Sequence, residues 1–600
     1  MSKQELHSFH IPVLGLAYSI DTPVKVARFG ISSVISIMDD QLIESMRKYH
    51  CQQTAQDYFP ITNKEDDYRA KRITAYLDLV DKIVKQQIED IRVLPFEGGN
   101  ELIKYFELLP DNASVKNTFN RMMALNEGEE KQNLQEELRS FITPGAIDVN
   151  IMSKIDKTNF DTAGNELPPE YSDALAALRG YAKSSLTSSV IFSAGYNPRL
   201  YNYVEQFSDF YPDVNGRLKK KIILKVSDYR SALVQGKIFA KKGLWISEFR
   251  IESGLNCGGH AFATDGLLLG PILEEFKNKR DKLYSELFDL CRLAIAEKQI
   301  PPFLNKPGLK ITVQGGIGTA NENEFLLEHY LLDGTGWGSP FLLVPEATNV
   351  DDGTLKDLAA AKKEDYYLSN ASPLGVPFNN FRKSSSERQR QERIDKGRPG
   401  SACYKKLLTS DTEFTAEPIC TASRKYQHLK INQLKEKALP PEVFEAEFKR
   451  ITEKDCLCEG LGAAVLVKDG VPLSHNLSAV TICPGPNLAY FSGIFSLSEM
   501  VGHIYGRLNI LNATYRSNMF INELNLYIDY YKKKLEAGIA LNPKQAKSLN
   551  TFKENLLEGI DYYKNLVTFF KKETAQYISA MKGELDNAAA ILANLKVTCS

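Results

Sequence analysis

The sequence predicts an α/β fold, in particular a (β/α)₈ barrel, because one alternation recurs over its first 350 residues. Short apolar segments that end in Gly, Ser, Asn or Asp alternate with helical patterns, and eight such segments occur. Eight parallel strands, separated mainly by helices, close into a (β/α)₈ barrel. An open, doubly wound sheet has the same alternation, so the pattern alone favours the barrel only slightly.

The eight predicted strands form two groups. The first two are IPVLGLA and SSVISI, and TPVKVARFG between them predicts a short helix that ends at Gly30. These two strands begin at Ile11 and Ser32. Six more strands follow a long helix-rich stretch: AIDVNIM from Ala146, SSVIFSAG from Ser188, KIILKV from Lys221, GLWISEFRIES from Gly243, LKITVQGG from Leu309 and DGTGWGS from Asp333.

The rest of the chain is predicted to form three regions in addition to this barrel. Residues 1–50 and 140–350 are assigned to the barrel, and 51–139 to a helical insertion with apolar residues at helical spacing. Residues 351–496 are polar, irregular and rich in Cys, and we expect them to pack on the barrel. Their charge run, SSSERQRQERIDKGR, is interpreted as a solvated helix or loop. Residues 497–600 predict a C-terminal region of aromatic-rich amphipathic helices.

Composition narrows the classes of protein. The chain has 600 residues, 43% of them hydrophobic, and 74 basic residues against 75 acidic ones. This balance gives no general affinity for nucleic acid or anionic membranes. With no signal-peptide pattern at MSKQELHSFHIPVLG and no apolar run of about 18 residues, we expect a cytoplasmic protein. Its nine cysteines are then expected as thiols, metal ligands or catalytic groups rather than disulfides.

Two glycine turns are the most informative segments. Val313–Thr319 reads VQGGIGT, a strand that runs into glycines and then a helix, and Gly336–Leu342 reads GWGSPFL after the next strand. Glycine lets the backbone approach a phosphate closely, and a helix N-terminus offers free N–H groups. In a barrel, the loops after the seventh and eighth strands are the usual place for a phosphate. The alternative is that these glycines only form turns.

A histidine follows the sixth predicted strand. His260 lies in ESGLNCGGHA, directly after Gly258 and Gly259. A histidine on a turn at the C-terminal end of a barrel can transfer protons to a bound substrate, since its pKa lies near neutrality. The alternative is a structural histidine, although the glycines leave it no helix face on which to pack.

Together these motifs resemble the nitronate monooxygenase (2-nitropropane dioxygenase-like) family of FMN-dependent barrel enzymes. The resemblance covers residues 8–50 and 140–346, in the order IPVLGLAYSIDTPVKVARFGISSVISI, DVNIMSK, KVSD, NCGGH and the two glycine turns. It implies that FMN is bound and that His260 is catalytic. The residues implied to contact the cofactor are Asn150, Lys225, Gly258, Gly259, Gly315, Gly316, Gly318, Gly338 and Ser339.

The chain also departs from this family. The family has Glu-Ala before the double glycine, where this sequence has Asn256 and Cys257. The helical insertion and everything after Glu346 have no counterpart in a simple nitronate monooxygenase. These departures concern the substrate more than the cofactor.

Four cysteines late in the chain predict a metal centre. Cys420, Cys456, Cys458 and Cys483 lie within a short stretch, with Cys403 as a substitute ligand. Thiolates bind zinc or iron–sulfur clusters, and four are enough to complete a site. Their spacing matches no standard pattern, so redox thiols and ordinary buried cysteines stay as alternatives.

The sequence therefore predicts an FMN-dependent oxidoreductase that oxidises a small nitronate-like substrate, with His260 as the base. Alternatives are an FMN-dependent enoyl-type reductase, a flavin or iron–sulfur electron-transfer protein whose helical tail docks another subunit, and an RNA-modifying flavoprotein that grips phosphates with KGRPGSACYKK and TASRKYQHLK. We expect a small-molecule substrate and a redox partner, but no membrane or nucleic acid. The oligomeric state is left open, a homodimer being one option.

Overall fold

The predicted barrel is confirmed. A computed structural model describes residues 6–161, 163–193, 195–256, 265–471, 479–536 and 542–595. Eight parallel strands close into a barrel in the order of the sequence. They are β1 (Phe9–Ile11), β2 (Ser32–Ser36), β3 (Ile147–Ile151), β4 (Ser188–Phe192), β5 (Lys220–Val226), β6 (Ile246–Glu252), β7 (Lys310–Gln314) and β8 (Gly334–Gly336).

The first strand lies two residues earlier than its predicted start. It ends at Ile11 because Pro12 has no N–H to donate to a neighbouring strand. The residues that follow, including Val13 and Gly15, instead form a loop over the C-terminal end of the barrel. The predicted helix before β2 is present and ends at Gly30, which has a φ of 78°.

Helices surround the barrel between its strands. Much of the predicted insertion belongs to this ring, because α3 packs against α7, the helix after β3. α4, α5 and α6 are the additional part. The ring and the insertion comprise α1 (Thr22–Val26), α2 (Asp40–Gln53), α3 (Tyr68–Val93), α4 (Glu101–Leu108), α5 (Ser114–Ala124), α6 (Glu129–Phe141), α7 (Asp173–Lys183), α8 (Pro198–Tyr203), α9 (Tyr229–Ala240), α10 (Leu269–Glu297) and α11 (Ala320–His329).

The segment after the barrel is more regular than its composition suggests. The charge run was interpreted as a helix or a loop, and it forms a helix, α13. The segment contains α12 (Asp352–Ala359), an antiparallel pair of strands, β9 (Tyr366–Ser369) and β10 (Phe378–Phe381), α13 (Ser385–Asp395), α14 (Arg424–Glu436), α15 (Pro441–Thr452) and α16 (Leu457–Lys468).

The C-terminal helices pack on the barrel's outer ring. α18 and α19 contact α10, and aromatic side chains on them, such as Tyr531 and Tyr563, are fully buried. The helices are α17 (Leu497–Ile504), α18 (Met519–Glu536), α19 (Pro543–Leu566) and α20 (Ala575–Asn594). Within the described ranges, no helix has the combination of length and hydrophobicity that a membrane span requires.

Candidate active site

A large cavity lies at the C-terminal end of the barrel, where barrel enzymes place their active sites. It contains about 1160 Å³ of empty space, including its open mouth. The barrel supplies one side of it through the ends of β1 to β6, and the segment after the barrel supplies the other. The residues from that segment are mostly apolar: Ser372, Leu374, Val376, Phe378, Leu407, Leu408, Leu457, Cys458, Leu461 and Cys483.

The barrel side of the cavity carries a buried charged network centred on Glu252. One carboxylate oxygen, Oε1, accepts hydrogen bonds from Lys225 Nζ at 2.9 Å, Asn256 Nδ2 at 2.7 Å and Gln314 Nε2 at 2.9 Å. Side chains alternate along a strand, so residues at equivalent ends of β5, β6 and β7 converge inside the barrel. The Lys225 and Glu252 side chains are only 8% and 2% exposed, and both line the cavity.

Asn150 completes this polar floor from the end of β3. It is 2% exposed and lines the cavity, yet among the residues that the structure describes its Oδ1 has no hydrogen-bond partner. A buried acceptor without a partner costs about 1–3 kcal/mol, so it indicates a place for a donor supplied by a ligand. The structure thus brings together two of the residues proposed to bind the cofactor, Asn150 and Lys225.

The network around Glu252 was not predicted as a set of functional residues. Glu252 belongs to the motif that contains His260, but no role was assigned to its carboxylate. The signal in the sequence is an acidic residue at the end of a strand whose inward positions, Glu248 and Arg250, are also charged. Gln314 could have been found in the same way, as the last residue of the neighbouring strand.

Gly258, Gly259 and His260 lie outside the described residues. The structure does describe the two ends of their loop, which converge on Glu523 of α18. Glu523 Oε1 accepts from Ser253 Oγ at 2.7 Å and from Gly254 N–H at 3.0 Å, and its Oε2 accepts from Leu269 N–H at 2.8 Å.

The first glycine turn is closely packed against the loop after β6. A Cβ on Gly315 would lie 2.8 Å from the Asn256 nitrogen, and one on Gly316 would lie 2.6 Å from Leu255 Cδ1. Both glycines also have positive φ values, 105° and 80°. Close packing and backbone conformation therefore require glycine here without any phosphate.

The carboxylate of Glu322 lies at the N-terminus of α11, the helix that follows this turn. Gly318 N–H donates to Glu322 Oε2 at 2.8 Å, and Glu322 Oε1 pairs with Arg516 Nη1 at 2.7 Å. Arg516 also donates to the Gly316 carbonyl at 2.7 Å and to Asn487 Oδ1 at 2.8 Å. This buried pair takes the place at which the sequence predicted a phosphate on Gly318.

The second glycine turn is in contact with the segment after the barrel. Ser339 Oγ accepts from Gly485 N–H at 2.8 Å, and a Cβ on Gly485 would lie 2.4 Å from that same oxygen. Gly338 precedes a short 3₁₀ helix, Ser339–Leu343, at the end of β8. Neither turn is among the described residues that line the cavity.

The predicted metal ligands do not assemble as a group. In the ranges that the structure describes, no set of three or more His, Cys, Asp or Glu side chains is arranged to hold a metal ion. Cys458 and Cys483 line the cavity, whereas Cys403 and Cys420 are not among the described residues that line it. Interaction with the Cys420 side chain lowers the pKa of the Cys403 thiol to about 7. The predicted four-cysteine centre gains no support from this geometry.

Comparison with known proteins adds no assignment. No protein-family model matches the chain, and no curated protein sequence matches it.

Proposed function

We propose that the chain is an FMN-dependent oxidoreductase that acts on a small organic substrate in the cavity at the C-terminal end of the barrel. The observation that carries this proposal is the polar floor formed by Asn150, Lys225 and Glu252 beneath apolar walls. In this proposal the flavin ring lies on this floor, in the open space between the barrel and the segment after it.

The floor suits the flavin ring better than the glycine turns suit its phosphate. The ring has a polar edge with N–H and carbonyl groups, which match the unpartnered Asn150 Oδ1 and the Lys225 ammonium. Its flat faces match apolar neighbours such as Met38 and Met152. The N–H of Gly318 already donates to Glu322, so the phosphate contacts that we propose are the backbone of Gly315, Gly316 and Gly338. They also include the hydroxyl of Ser339, which accepts from Gly485 N–H and can still donate its own proton.

Each floor residue has a separate task in this proposal. When bound, FMN supplies the electron or hydride transfer, which no side chain can perform. Asn150 fixes the ring by one hydrogen bond, and Lys225 places a positive charge beside it. Glu252 holds the Lys225 ammonium at 2.9 Å and in turn is oriented by Asn256 and Gln314.

The walls select the substrate. Leu374, Leu407, Leu457 and their neighbours form an apolar wall above the floor, which cannot solvate a charge. We therefore propose a substrate with an apolar body. This also favours a second candidate, reduction of an uncharged conjugated substrate, because a nitronate brings an anionic group to these walls.

His260 is proposed as the group that transfers the proton. Substituting His260→Ala should preserve flavin content and melting temperature while turnover is lost. A parallel loss of folding would instead make the histidine structural.

The experiment that tests the function is the absorption spectrum and flavin content of freshly purified protein under anaerobic conditions. The proposal expects flavin absorption bands, which bleach on reduction and return when an acceptor is added. A panel of alkyl nitronates and conjugated enones as acceptors or donors then separates the two candidates. Folded protein that holds no flavin, even after incubation with FMN, would overturn the proposal.

A further inference from the structure

A lysine lies at the mouth of the cavity, on the loop that follows β3. Asn150, Met152 and Lys154 alternate along this part of the chain, and all three line the cavity. Asn150 is buried in the floor, Met152 is half-buried and Lys154 is exposed. The cavity therefore has a buried polar end and an open end that carries a positive charge.

The Lys154 ammonium is free to bind a ligand. Among the described residues, no carboxylate forms an ion pair with it. The other charged residues that line the cavity, Lys225 and Glu252, pair with each other at 2.9 Å. The nearest acid along the chain, Asp156, accepts from Arg199 Nη2 at 2.7 Å. Within the described lining, Lys154 is thus the charge that is left for a ligand.

The position of Lys154 is set by the neighbouring loop, which follows β4. Ser153 N–H donates to Ser193 Oγ at 2.9 Å, and Ser153 Oγ donates to the Ser193 carbonyl at 3.2 Å. The Lys154 stem lies against Gly195, where a Cβ would be 2.8 Å from Lys154 Cε. Gly195 has a φ of 134°, so its backbone conformation and this contact both favour glycine. The two loops therefore hold the lysine at the rim of the cavity.

Ser193 supplies a second donor at the same rim. It lines the cavity, and its Oγ accepts from Ser153 N–H, while none of the described residues accepts its own proton. An ammonium and a hydroxyl from adjacent strand ends can together bind a carboxylate through charge-assisted hydrogen bonds. Most of the remaining lining residues are apolar, such as Ile155, Leu374 and Leu407.

We propose that the cavity binds an amphipathic carboxylate, with its charged end at Lys154 and Ser193 and its hydrocarbon body along the apolar walls. The body extends toward the floor, where Asn150 Oδ1 is without a partner among the described residues. This inference names the substrate class of the proposed function and rests on that function for its catalytic meaning. The substrate is charged at its outer end and uncharged where it reacts, because the walls cannot solvate a charge.

The test is isothermal titration calorimetry of octanoate and of its uncharged analogue, octanamide, into the full-length protein as purified. Octanoate should bind about tenfold more tightly than octanamide, because only the carboxylate forms charge-assisted contacts. Added salt should weaken the binding of octanoate alone, since an exposed ion pair is screened. Lys154→Met should reduce the affinity for octanoate to that for octanamide. Lys154→Arg should retain the preference, and Ser193→Ala should lose part of it.

Lys183→Met is the matched control, because Lys183 is an exposed lysine at the end of α7 and is not among the described residues that line the cavity. The inference is overturned if the wild type binds the two ligands equally or binds no octanoate. An equal loss of both ligands in Lys154→Met also overturns it. So does a loss of FMN from Lys154→Met with octanoate binding intact, since the lysine would then bind the FMN phosphate.

Flavin content, measured on the same samples, separates this inference from the proposed function. A wild type that holds FMN but does not distinguish the two ligands contradicts the inference alone. A wild type that holds no FMN, but whose preference for octanoate depends on Lys154, supports the binding site and contradicts the proposed function. The wild-type comparison and its salt dependence decide the matter even if a variant fails to fold.

Discussion

Glu523 and Gly254 are joined by a hydrogen bond of 3.0 Å between the carboxylate of a C-terminal helix and the backbone at the end of β6. Through its second oxygen the same carboxylate holds Leu269, at the start of α10. Tyr527, one turn further along α18, packs so closely on Gly254 that a Cβ there would lie 2.5 Å from its ring. Helix α18 therefore holds the described residues on both sides of the segment 257–264, to which His260 belongs.

Substitution of Glu523 should loosen this loop. Glu523→Ala leaves three buried donors without an acceptor, each at a cost of about 1–3 kcal/mol. We expect a lower melting temperature and faster amide hydrogen exchange at Gly254 and Leu269. Glu523→Gln keeps one carbonyl oxygen and should therefore lose less stability. The control Glu554→Ala, at an exposed position on α19, should change neither the melting temperature nor the amide exchange. Unchanged exchange in Glu523→Ala would show that packing alone holds the loop.

A second prediction concerns the charge pair in the cavity floor. Lys225→Met leaves Glu252 buried without its cation and should destabilise the protein by about 3–5 kcal/mol. Adding Glu252→Gln removes the unpaired charge, so the double variant should recover most of the lost melting temperature. Lys221→Met, an exposed position on the same strand, is the control. If the double variant is no more stable than Lys225→Met, the two side chains are not coupled.

A third prediction is acid sensitivity caused by His10, which is buried at the bottom of the barrel. Burial, followed by the nearby Arg250 charge, lowers its pKa to about 3 from the usual 6.5. The unfolded chain binds this proton at a higher pH than the folded one. The stability from neutral His10 is therefore complete above pH 6.5 and is lost as the pH falls toward 3.

The variant His10→Gln tests this effect. It should reduce the slope of unfolding free energy against pH in that window by about 1.4 kcal/mol per pH unit. Thermal unfolding at several pH values measures the slope, and the exposed His428→Gln should leave it unchanged. An unaltered slope in His10→Gln would mean that other groups cause the acid sensitivity.

The sequence was sufficient to predict the barrel, because each strand is a short apolar run that ends in turn residues. The resemblance also pointed to Asn150 and Lys225, which lie at strand ends and line the same cavity; their contact with a cofactor stays a prediction. The sequence could not reveal Glu523 or Arg516 as partners of the predicted site. The contacts of Glu523 with Gly254 and of Arg516 with Glu322 join residues more than 190 positions apart, and local periodicity carries no information about such pairs.

The glycine turns show a different limit. A glycine required by close packing and a glycine required by phosphate are identical in the sequence, and only the positions of Leu255 and Asn256 distinguish them. Residues 351–496 were predicted to be irregular because their many charged residues obscure the periodic spacing of the apolar ones. This segment contributes a little under half of the residues that line the cavity, from loops as well as from β10 and α16, where sequence patterns gave no function.

The most direct test of the central proposal is a fluorescence titration of FMN into cofactor-free protein, wild type and Asn150→Leu. The account predicts one FMN site per chain in the wild type. Binding to the variant should be about tenfold weaker, because one buried hydrogen bond is lost. Equal affinity in the two proteins, or no FMN binding by folded wild-type protein, would contradict a flavin site on the Asn150 floor.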